Sequence, residues 1–462
     1  MEQHNVVFIT FELGTLILEF PEKLPDPLFG IVVYDKRIQK YRAQAFHYGT
    51  IVLYLHKNSI PYVDNAKEFI KLKDLPPNLL FSPRSHQENA FNNWYGNGGA
   101  GVAILPTGAG KSFLAVMAIH KIKRSTLILV PTIDLMQQWT SMLEKHLGIT
   151  VGMIGGGSKE IKDITVSTYD SAVIHMEFIG NKFGFIIFDE CHHLPAKVYQ
   201  TAAKMCIAPY RLGLTATPER EDEGENDLYR LVGPIIYQIH IDQLKKDVLA
   251  PYETRKIYVP LTDEELLEYK TARKEYTDFI KLNSIDMSQK DGWRNFIFEA
   301  SRRKDGKKAI KSYLTQKNIA NSNRKKIEVI WGLIKQHHTE RIIIFTADNT
   351  TAYKIGKLFF LPVITHHTKA KERKLFLERF KAAKYRVIVT SKVLNEGVDV
   401  PEASIGIVVS GSGSIREHVQ RLGRILRASE EKKAILYEVI SEGTAEENVS
   451  SRRRNHRAYY NK

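Results

Sequence analysis

The stretch GVAILPTGAGKSFLAVMAIHKI (residues 101–122) decides the fold of this chain. A short apolar run leads into a glycine-rich turn, and the turn leads into a sequence typical of a helix. Gly108 and Gly110 would let backbone N–H groups approach a phosphate without a clash from Cβ atoms. The N-terminus of the following helix would add a partial positive charge. Strand, turn and helix in this order predict a binding site for nucleotide phosphates.

The turn and the helix start provide six candidates for binding ATP. These residues are Thr107, Gly108, Ala109, Gly110, Lys111 and Ser112. We expect Lys111 to reach the β- and γ-phosphates and the Ser112 hydroxyl to bind Mg²⁺. The usual pattern GxxxxGK[ST] begins with a glycine, and this chain has Leu105 at that position.

A second candidate site is the pair of acids in IIFDECH (186–192). Asp189 and Glu190 follow a buried apolar run, and ligands bind at the carboxyl ends of such strands. Asp189 would hold Mg²⁺, directly or through water, and Glu190 would orient and polarise the attacking water. The adjacent Cys191, His192 and His193 do not suit a tetrahedral zinc site, because consecutive residues cannot easily surround one ion.

Around these two motifs, short apolar runs alternate with amphipathic stretches, as in parallel sheets that are buried on both faces. The strand candidates are 101–105, 126–130, 164–168, 184–188 and 211–215, then 341–345, 385–390, 404–409 and 434–440. Ahead of them, 6–20, 29–34 and 50–55 read as strands of a small β-rich module. The predicted domains are 1–80, 81–240, 241–330 and 331–462.

The composition favours an anionic partner, because the chain has 67 Lys and Arg residues and 52 Asp and Glu residues, which gives a net charge of +15. The segment 266–326 has 16 basic and seven acidic residues, and the tail 450–462 adds five basic residues. Trp293, Phe296, Phe298 and Tyr313 lie within the basic segment. They suit a nucleic-acid surface, or they form the core of the segment.

Other features of composition concern the compartment. The longest apolar runs fall short of the roughly 20 residues that a membrane span needs, so no membrane partner is predicted. The first ten residues, MEQHNVVFIT, do not resemble a signal peptide. The chain has two cysteines, which are too few for a disulfide framework, and the cytosol is therefore the predicted location.

The two motifs, in this order, resemble those of superfamily 2 helicases and translocases, and the resemblance covers about residues 81–440. It implies adenine recognition by Arg84 and Gln87. It also implies contacts to the nucleic-acid backbone from LILVPTIDLMQQW (127–139), from Gly155–Gly157 and from Ser167–Tyr169. The segment LTATP (214–218) would couple ATP to nucleic acid. The remaining motifs of the resemblance are 342–352, 389–403 and 420–427.

Within that superfamily the chain resembles the XPB family, especially its short archaeal members. The triplet Arg220, Glu221 and Asp222 follows LTATP, a basic insert lies where the family has its thumb, and a β-rich module lies where it has a damage-recognition domain. The resemblance implies an α/β fold with two RecA-like parallel-sheet motor domains. It also implies 3′→5′ translocation or unwinding of single-stranded, forked or bubble DNA, a role in excision repair, and a nuclease partner of the Bax type.

The second motor domain would complete the ATP site. Arg424 and Arg427 lie three residues apart, on one face if helical, and match the family's arginine fingers. Gln420 matches a residue near the γ-phosphate, and Asp399 in NEGVD would link the ATP site to DNA. In the insert, Arg302, Arg303 and Lys304 are candidates for DNA contact.

Three alternatives remain at this point. One is another superfamily 2 motor, such as a restriction-type translocase or a branch-migrating helicase. The second is a nucleotide-gated clamp that binds DNA without separating its strands. The third is a metabolic P-loop kinase, which the second set of motifs argues against.

Overall fold

The computed structural model describes ten segments of the chain, which fall into two compact units, Met1–Ile239 and His240–Lys462. The described segments are 6–21, 23–106, 108–216, 225–239, 241–244, 252–287, 289, 291–391, 403–410 and 434–449. In these segments no helix is long and apolar enough to cross a bilayer.

The first unit begins with a five-stranded sheet in the order β3-β4-β2-β1-β5. Its elements are β1 (Val7–Glu12), β2 (Thr15–Glu19), β3 (Val32–Asp35), β4 (Lys40–Gln44), α1 (Tyr48–Lys57) and β5 (Tyr62–Asn65). The strand prediction for 50–55 is wrong, because these residues belong to α1. Tyr48, Ile51 and Leu55 are buried at helical spacing, whereas Leu53 points to solvent.

An eight-stranded sheet follows in the order β13-β6-β12-β11-β7-β10-β8-β9, and all its pairings are parallel except that of β8 with β9. Its strands are β6 (Ala100–Ile104), β7 (Thr126–Val130), β8 (Gly152–Gly155), β9 (Ser158–Glu160), β10 (Ile164–Thr168), β11 (Phe185–Asp189), β12 (Tyr210–Thr215) and β13 (Ile235–Gln238). Its helices are α2 (Ser85–Gly96), α3 (Lys111–Ile122), α4 (Ile133–Leu147), α5 (Tyr169–Ile179), α6 (Lys197–Lys204) and α7 (Glu225–Val232). Every residue of β7, β10 and β11 is buried, as predicted for central parallel strands.

The small sheet joins the large one at the edge where the large sheet's strands begin. Ser125, just before β7, donates its backbone N–H to the carbonyl of Ile70 at 3.0 Å. The Asn181 side chain donates to the carbonyl of Ala66 at 3.1 Å. The small sheet is therefore attached opposite the edge that carries the glycine-rich turn between β6 and α3 (the phosphate turn).

The second unit contains a six-stranded parallel sheet in the order β14-β19-β18-β15-β17-β16. Its strands are β14 (Tyr252–Val259), β15 (Ile342–Phe345), β16 (Val363–Ile364), β17 (Val387–Thr390), β18 (Ile405–Val408) and β19 (Ala434–Ser441). Its helices are α8 (Asp263–Leu282), α9 (Gly292–Arg302), α10 (Gly306–Ser322), α11 (Arg324–Gln336), α12 (Asn349–Phe359) and α13 (Ala370–Lys381). The predicted fold class is confirmed: two parallel-sheet domains, a β-rich N-terminal region and a basic helical insert.

The rings of the basic insert divide between core and surface. Phe296 is fully buried and packs against Tyr276 and Phe279. Trp293 and Phe298 are 46% and 54% exposed. The insert therefore has its own aromatic core and also presents rings to solvent.

Candidate nucleotide and nucleic-acid site

The phosphate turn connects the end of β6 to the start of α3. Gly108 and Gly110 have φ values of 89° and 84°, in the left-handed region that favours glycine. A Cβ on Gly110 would lie 2.2 Å from Nε2 of Gln87. The conformation therefore favours glycine at 110, and a Cβ there would also displace the Gln87 amide. Thr107 lies outside the described residues.

The first turn of α2 forms hydrogen bonds with the phosphate turn and holds it in place. The Gln87 amide donates to the carbonyls of Ala109 and Gly110, both at 3.2 Å, and its Oε1 accepts from the Arg84 backbone N–H at 2.9 Å. The buried His86 ring lies 2.8 Å from the Ala109 carbonyl. Nothing in the sequence marks His86 as part of this site. Its position beside Gln87 was visible, but its contact with a turn 23 residues away was not.

The two predicted acids end strand β11 beside the turn. Nζ of Lys111 lies 3.1 Å from Oε1 of Glu190. Asp189 and Glu190 are both buried. Glu190 has φ 47° and ψ 51°, an unfavourable conformation for a residue other than glycine. Such strain is concentrated at functional sites, because the surrounding structure must hold it in place.

Asp189 is fixed from two sides. Its Oδ2 accepts a 2.7 Å hydrogen bond from the Trp139 indole, and its Oδ1 accepts from the Glu190 backbone N–H at 3.1 Å. Burial and then the charge of Glu190 raise the pKa of Asp189, and Lys111 and the Trp139 hydrogen bond oppose that rise. Trp139 lies in the predicted nucleic-acid motif 127–139, but its contact with the acid could not be predicted from the sequence.

His192 connects the acids to the predicted coupling motif. Its Nδ1 lies 3.1 Å from the Thr215 hydroxyl and 3.5 Å from Oε2 of Glu190. Thr215 is the last residue of β12 and is fully buried. The last two residues of LTATP, Thr217 and Pro218, lie outside the described residues, as do Arg220, Glu221 and Asp222.

The predicted backbone-binding residues lie at the same edge of the sheet. Thr132 caps α4 by accepting from the Leu135 N–H at 3.2 Å, and Thr168 caps α5 by accepting from the Ser171 N–H at 3.2 Å. Gly155 ends β8, and Gly156 and Gly157 connect it to β9. Each of these elements follows the carboxyl end of a parallel strand, so this edge carries the phosphate turn, the acids and two helix N-termini.

Four predicted residues of the second unit lie outside the described part of the chain: Asp399, Gln420, Arg424 and Arg427. In the insert, Arg302, Arg303 and Lys304 are exposed. Arg303 lies 3.1 Å from Glu299, and the Arg302 guanidinium lies 5.1 Å from the centre of the Phe298 ring.

Three family models match the chain. The model of the xeroderma pigmentosum group B helicase damage recognition domain matches residues 9–66. The res subunit of type III restriction enzymes matches 80–220, and the ERCC3/RAD25/XPB C-terminal helicase matches 307–458. The restriction-type model therefore fits the first large sheet, and the XPB models fit the regions on both sides of it.

Whole-chain relatives point to the same group. The chain is 40% identical to the DNA 3′-5′ translocase XPB2 of Sulfurisphaera tokodaii over 91% of this chain and 95% of the relative. It is 31% identical to the DNA 3′-5′ helicase XPB of Mycobacterium tuberculosis over 97% of this chain and 77% of the relative. The crystal structure of the Pyrococcus furiosus Hef helicase domain matches with a TM-score of 0.52 at 18% identity, over 80% of this chain and 97% of that one.

The fold and the ATP motifs are those of a superfamily 2 motor protein. Within that superfamily the chain belongs to the XPB family, whose members are ATP-dependent DNA helicases and translocases.

Proposed function

We propose that this chain is an ATP-driven motor that moves 3′→5′ on DNA and opens the duplex. The observation that supports it best is the shared sheet edge. Lys111 contacts Glu190 at 3.1 Å there, and α4 and α5 begin at the same edge. ATP use and DNA binding follow from the family, and the 3′→5′ polarity is proposed from the polarity in the names of the relatives.

For ATP, the N–H groups of the turn 107–112 and the Lys111 ammonium would bind the phosphates. The Arg84 guanidinium is exposed beside Gln87 and would bind the adenine edge. Both ends of the Gln87 amide contact backbone atoms. Gln87 would therefore contribute to adenine recognition indirectly, by holding the turn in position.

The residues present fit Mg²⁺. Ser112 and Asp189 offer hydroxyl and carboxylate oxygens, the ligands that this ion takes in proteins. Within the cluster of Lys111, Asp189 and Glu190, two negative charges face one positive charge, and a divalent cation would offset the excess. Bound with ATP, Mg²⁺ would neutralise charge on the phosphates. Glu190 would then orient and polarise the attacking water.

The second unit would contribute positive charge and a link to DNA. We assign Arg424 and Arg427 as arginine fingers, Gln420 to the γ-phosphate and Asp399 to communication between ATP and DNA. These assignments rest on the match of the segments 389–403 and 420–427 to the family motifs.

DNA would pass along the N-termini of α4 and α5, where backbone N–H groups and the helix dipoles favour phosphate. Gly157 adds an open backbone position, since a Cβ there would meet nothing within 4 Å. Arg302, Arg303 and Lys304 would bind phosphates from the insert. Contacts of this kind carry little sequence preference.

Arg220, Glu221 and Asp222 would act where strands separate, because acids beside DNA repel its backbone and suit a wedge. A role in nucleotide excision repair, a nuclease partner of the Bax type and a cytosolic location complete the proposal. These three points rest on the family resemblance and on composition.

The test is ATP turnover with single-stranded, duplex, forked and bubble DNA, with single-stranded RNA as a control, beside strand displacement on the fork. We expect DNA to stimulate turnover and the fork to be opened. No stimulation by any DNA would contradict the proposal. Stimulation without displacement on any substrate would favour the nucleotide-gated clamp or a translocase that does not separate strands.

The triplet has its own test in the same assays. Replacing Arg220, Glu221 and Asp222 together by alanine should leave DNA-stimulated turnover within about threefold, because none of the three is assigned to ATP binding or hydrolysis. Displacement on the fork should fall sharply. Equal displacement by the variant and the wild type, at matched turnover, would show that the triplet is an ordinary solvated loop.

A further inference from the structure

Two helices that begin at the proposed DNA face contact the same acid. Trp139 of α4 donates its indole N–H to the carboxylate of Asp189 at 2.7 Å. Tyr169, the first residue of α5, donates its hydroxyl to the backbone carbonyl of Asp189 at 3.0 Å. Both aromatic side chains are buried, with exposures of 2% and 1%.

A buried indole N–H needs a hydrogen-bond acceptor, but this need alone does not explain why the acceptor of Trp139 is Asp189. A backbone carbonyl is sufficient, as Trp94 shows in the same unit by donating to the carbonyl of Arg211 at 2.9 Å. Trp139 instead bonds a carboxylate that belongs to the ATP site. Tyr169 holds the same residue through its main chain, so the side chain and the backbone of Asp189 are each tied to a different helix.

The path from each helix start to the acid is short. Tyr169 follows the cap residue Thr168 directly, and Trp139 lies seven residues after the cap residue Thr132, about two helical turns away. A small shift of either helix on binding DNA would therefore move a hydrogen-bond donor relative to Asp189.

We propose that Trp139 and Tyr169 are positioning residues that transmit DNA binding at the starts of α4 and α5 to Asp189, and so set the rate of ATP hydrolysis. The inference rests on the proposed function, because DNA binding at these helix starts is part of that proposal. Linkage is reciprocal, so the same contacts would let bound nucleotide change the affinity for DNA.

The test uses Trp139→Phe and Tyr169→Phe. Tyr169→Phe removes only the hydroxyl, whereas Trp139→Phe removes the indole N–H together with the five-membered ring, a loss that Trp94→Phe matches. For Trp139→Phe we expect the DNA-stimulated kcat to fall about tenfold or more, as when a residue behind a metal ligand is lost. The KM for ATP should stay within about threefold, because phosphate binding by the turn is untouched. Tyr169→Phe should lower kcat in the same direction and by less, because its bond goes to the backbone.

A second measurement does not depend on turnover. The affinity for fluorescent single-stranded DNA is measured with and without adenylyl-imidodiphosphate and Mg²⁺. The ratio of the two affinities is the coupling factor, typically about 5–150-fold between linked sites. Both variants should bring this factor closer to one than it is in the wild type.

Trp94→Phe and Tyr437→Phe are the matched controls. Each removes a buried aromatic donor or hydroxyl whose partner, the carbonyl of Arg211 or the ring of His337, lies outside the ATP site. Both controls should keep the wild-type kcat and coupling factor.

The inference fails if Trp139→Phe and Tyr169→Phe keep both wild-type values, or if the controls lose as much. If Trp139→Phe does not fold, Tyr169→Phe, which loses one oxygen atom, decides alone. A wild-type protein without any DNA stimulation would instead contradict the proposed function.

Discussion

Each of the two units contains a buried lysine–glutamate pair, and the two lysines differ in their hydrogen bonds. In the first unit, Lys111 and Glu190 have side chains that are 11% and 12% exposed, and their contact is 3.1 Å. In the second unit, Lys326 is fully buried and donates to the carbonyls of Ala320 and Val409 and to Glu446, at 2.7–3.0 Å.

The difference lies in the donors that remain. An ammonium group has three N–H donors, and those of Lys326 all have acceptors. Within the described residues, Nζ of Lys111 has one hydrogen bond, to Glu190, so two donors remain for phosphate oxygens. A saturated lysine stabilises the fold, whereas an unsaturated one can bind a ligand. Under the proposed function, the buried charge of the first sheet would serve ATP hydrolysis, whereas that of the second stabilises the fold.

The second sheet should nevertheless take part in chemistry through residues that follow β18 in the chain. Arg424→Ala or Arg427→Ala should lower kcat by about 10³–10⁵, the effect of losing an arginine finger, with a much smaller change in ATP affinity. Single-turnover and steady-state ATP hydrolysis with DNA measure both quantities. An unchanged kcat in both variants would leave the second sheet with a structural role alone.

In the first sheet, Lys111→Ala and Glu190→Gln should reduce turnover at least about 10²–10³-fold, because each removes a charge that is assigned to phosphate or to the attacking water. Glu190→Gln should still bind ATP, which a filter-binding assay with labelled ATP can show. The circular dichroism spectrum should match that of the wild type for both. Turnover within about threefold of wild type in either variant would reject the assignment of the ATP site.

The sequence was informative where one physical rule dominates. The runs 126–130 and 164–168 are strands with those bounds, because continuous apolar and β-branched residues suit a strand buried on both faces. The run at 50–55 satisfies the strand pattern too. It is helical because Tyr48, Ile51 and Leu55 pack on one side of the small sheet, and only tertiary structure shows this.

In the candidate site too, some features could be predicted from the sequence and others could not. That Lys111 and Glu190 lie at one edge could be predicted, because the carboxyl ends of parallel strands meet at the same edge of a sheet. The bond from Trp139 to Asp189 spans 50 residues and depends on how α4 packs. The left-handed conformation of Glu190 also leaves no mark on the sequence, because positive φ is uncommon for residues other than glycine and is held by the surrounding structure.

Replacing the structural lysine, Lys326, should mainly reduce stability, whereas replacing Lys111 should mainly reduce turnover. Lys326→Met should lower the free energy of unfolding by about 3–5 kcal/mol, because it leaves Glu446 and two carbonyls without their buried partner. Calorimetry measures this loss, and Lys325→Met, an exposed neighbour on the same helix, is the control.

Lys111→Met should cost less stability than Lys326→Met. Loss of Lys111 lets the pKa of Asp189 rise further, so that acid can take up a proton and relieve its repulsion with Glu190. Equal losses of stability in the two variants would remove the distinction between the pairs.

The smallest expected effect concerns the basic insert, where exposed cations also differ in how far they are already paired. Arg303 lies 3.1 Å from Glu299, and Lys308 lies 2.9 Å from Glu275. Arg302, Lys304 and Lys307 are exposed, and the described residues form no ion pair with them. These three should therefore contact DNA phosphates most readily.

Changing Arg302, Lys304 and Lys307 together to glutamine should weaken DNA binding. It should also flatten the plot of log affinity against log salt by about 2–3, since each lost phosphate contact removes about 0.7–0.9. Changing Arg303 and Lys308 to glutamine should flatten it less, because their acids already compete with phosphate. Fluorescence anisotropy at several salt concentrations measures both slopes. An unaltered slope in the triple variant would mean that these cations are an ordinary solvated face. A larger change in the double variant would mean that Glu299 and Glu275 release their partners to DNA at little cost.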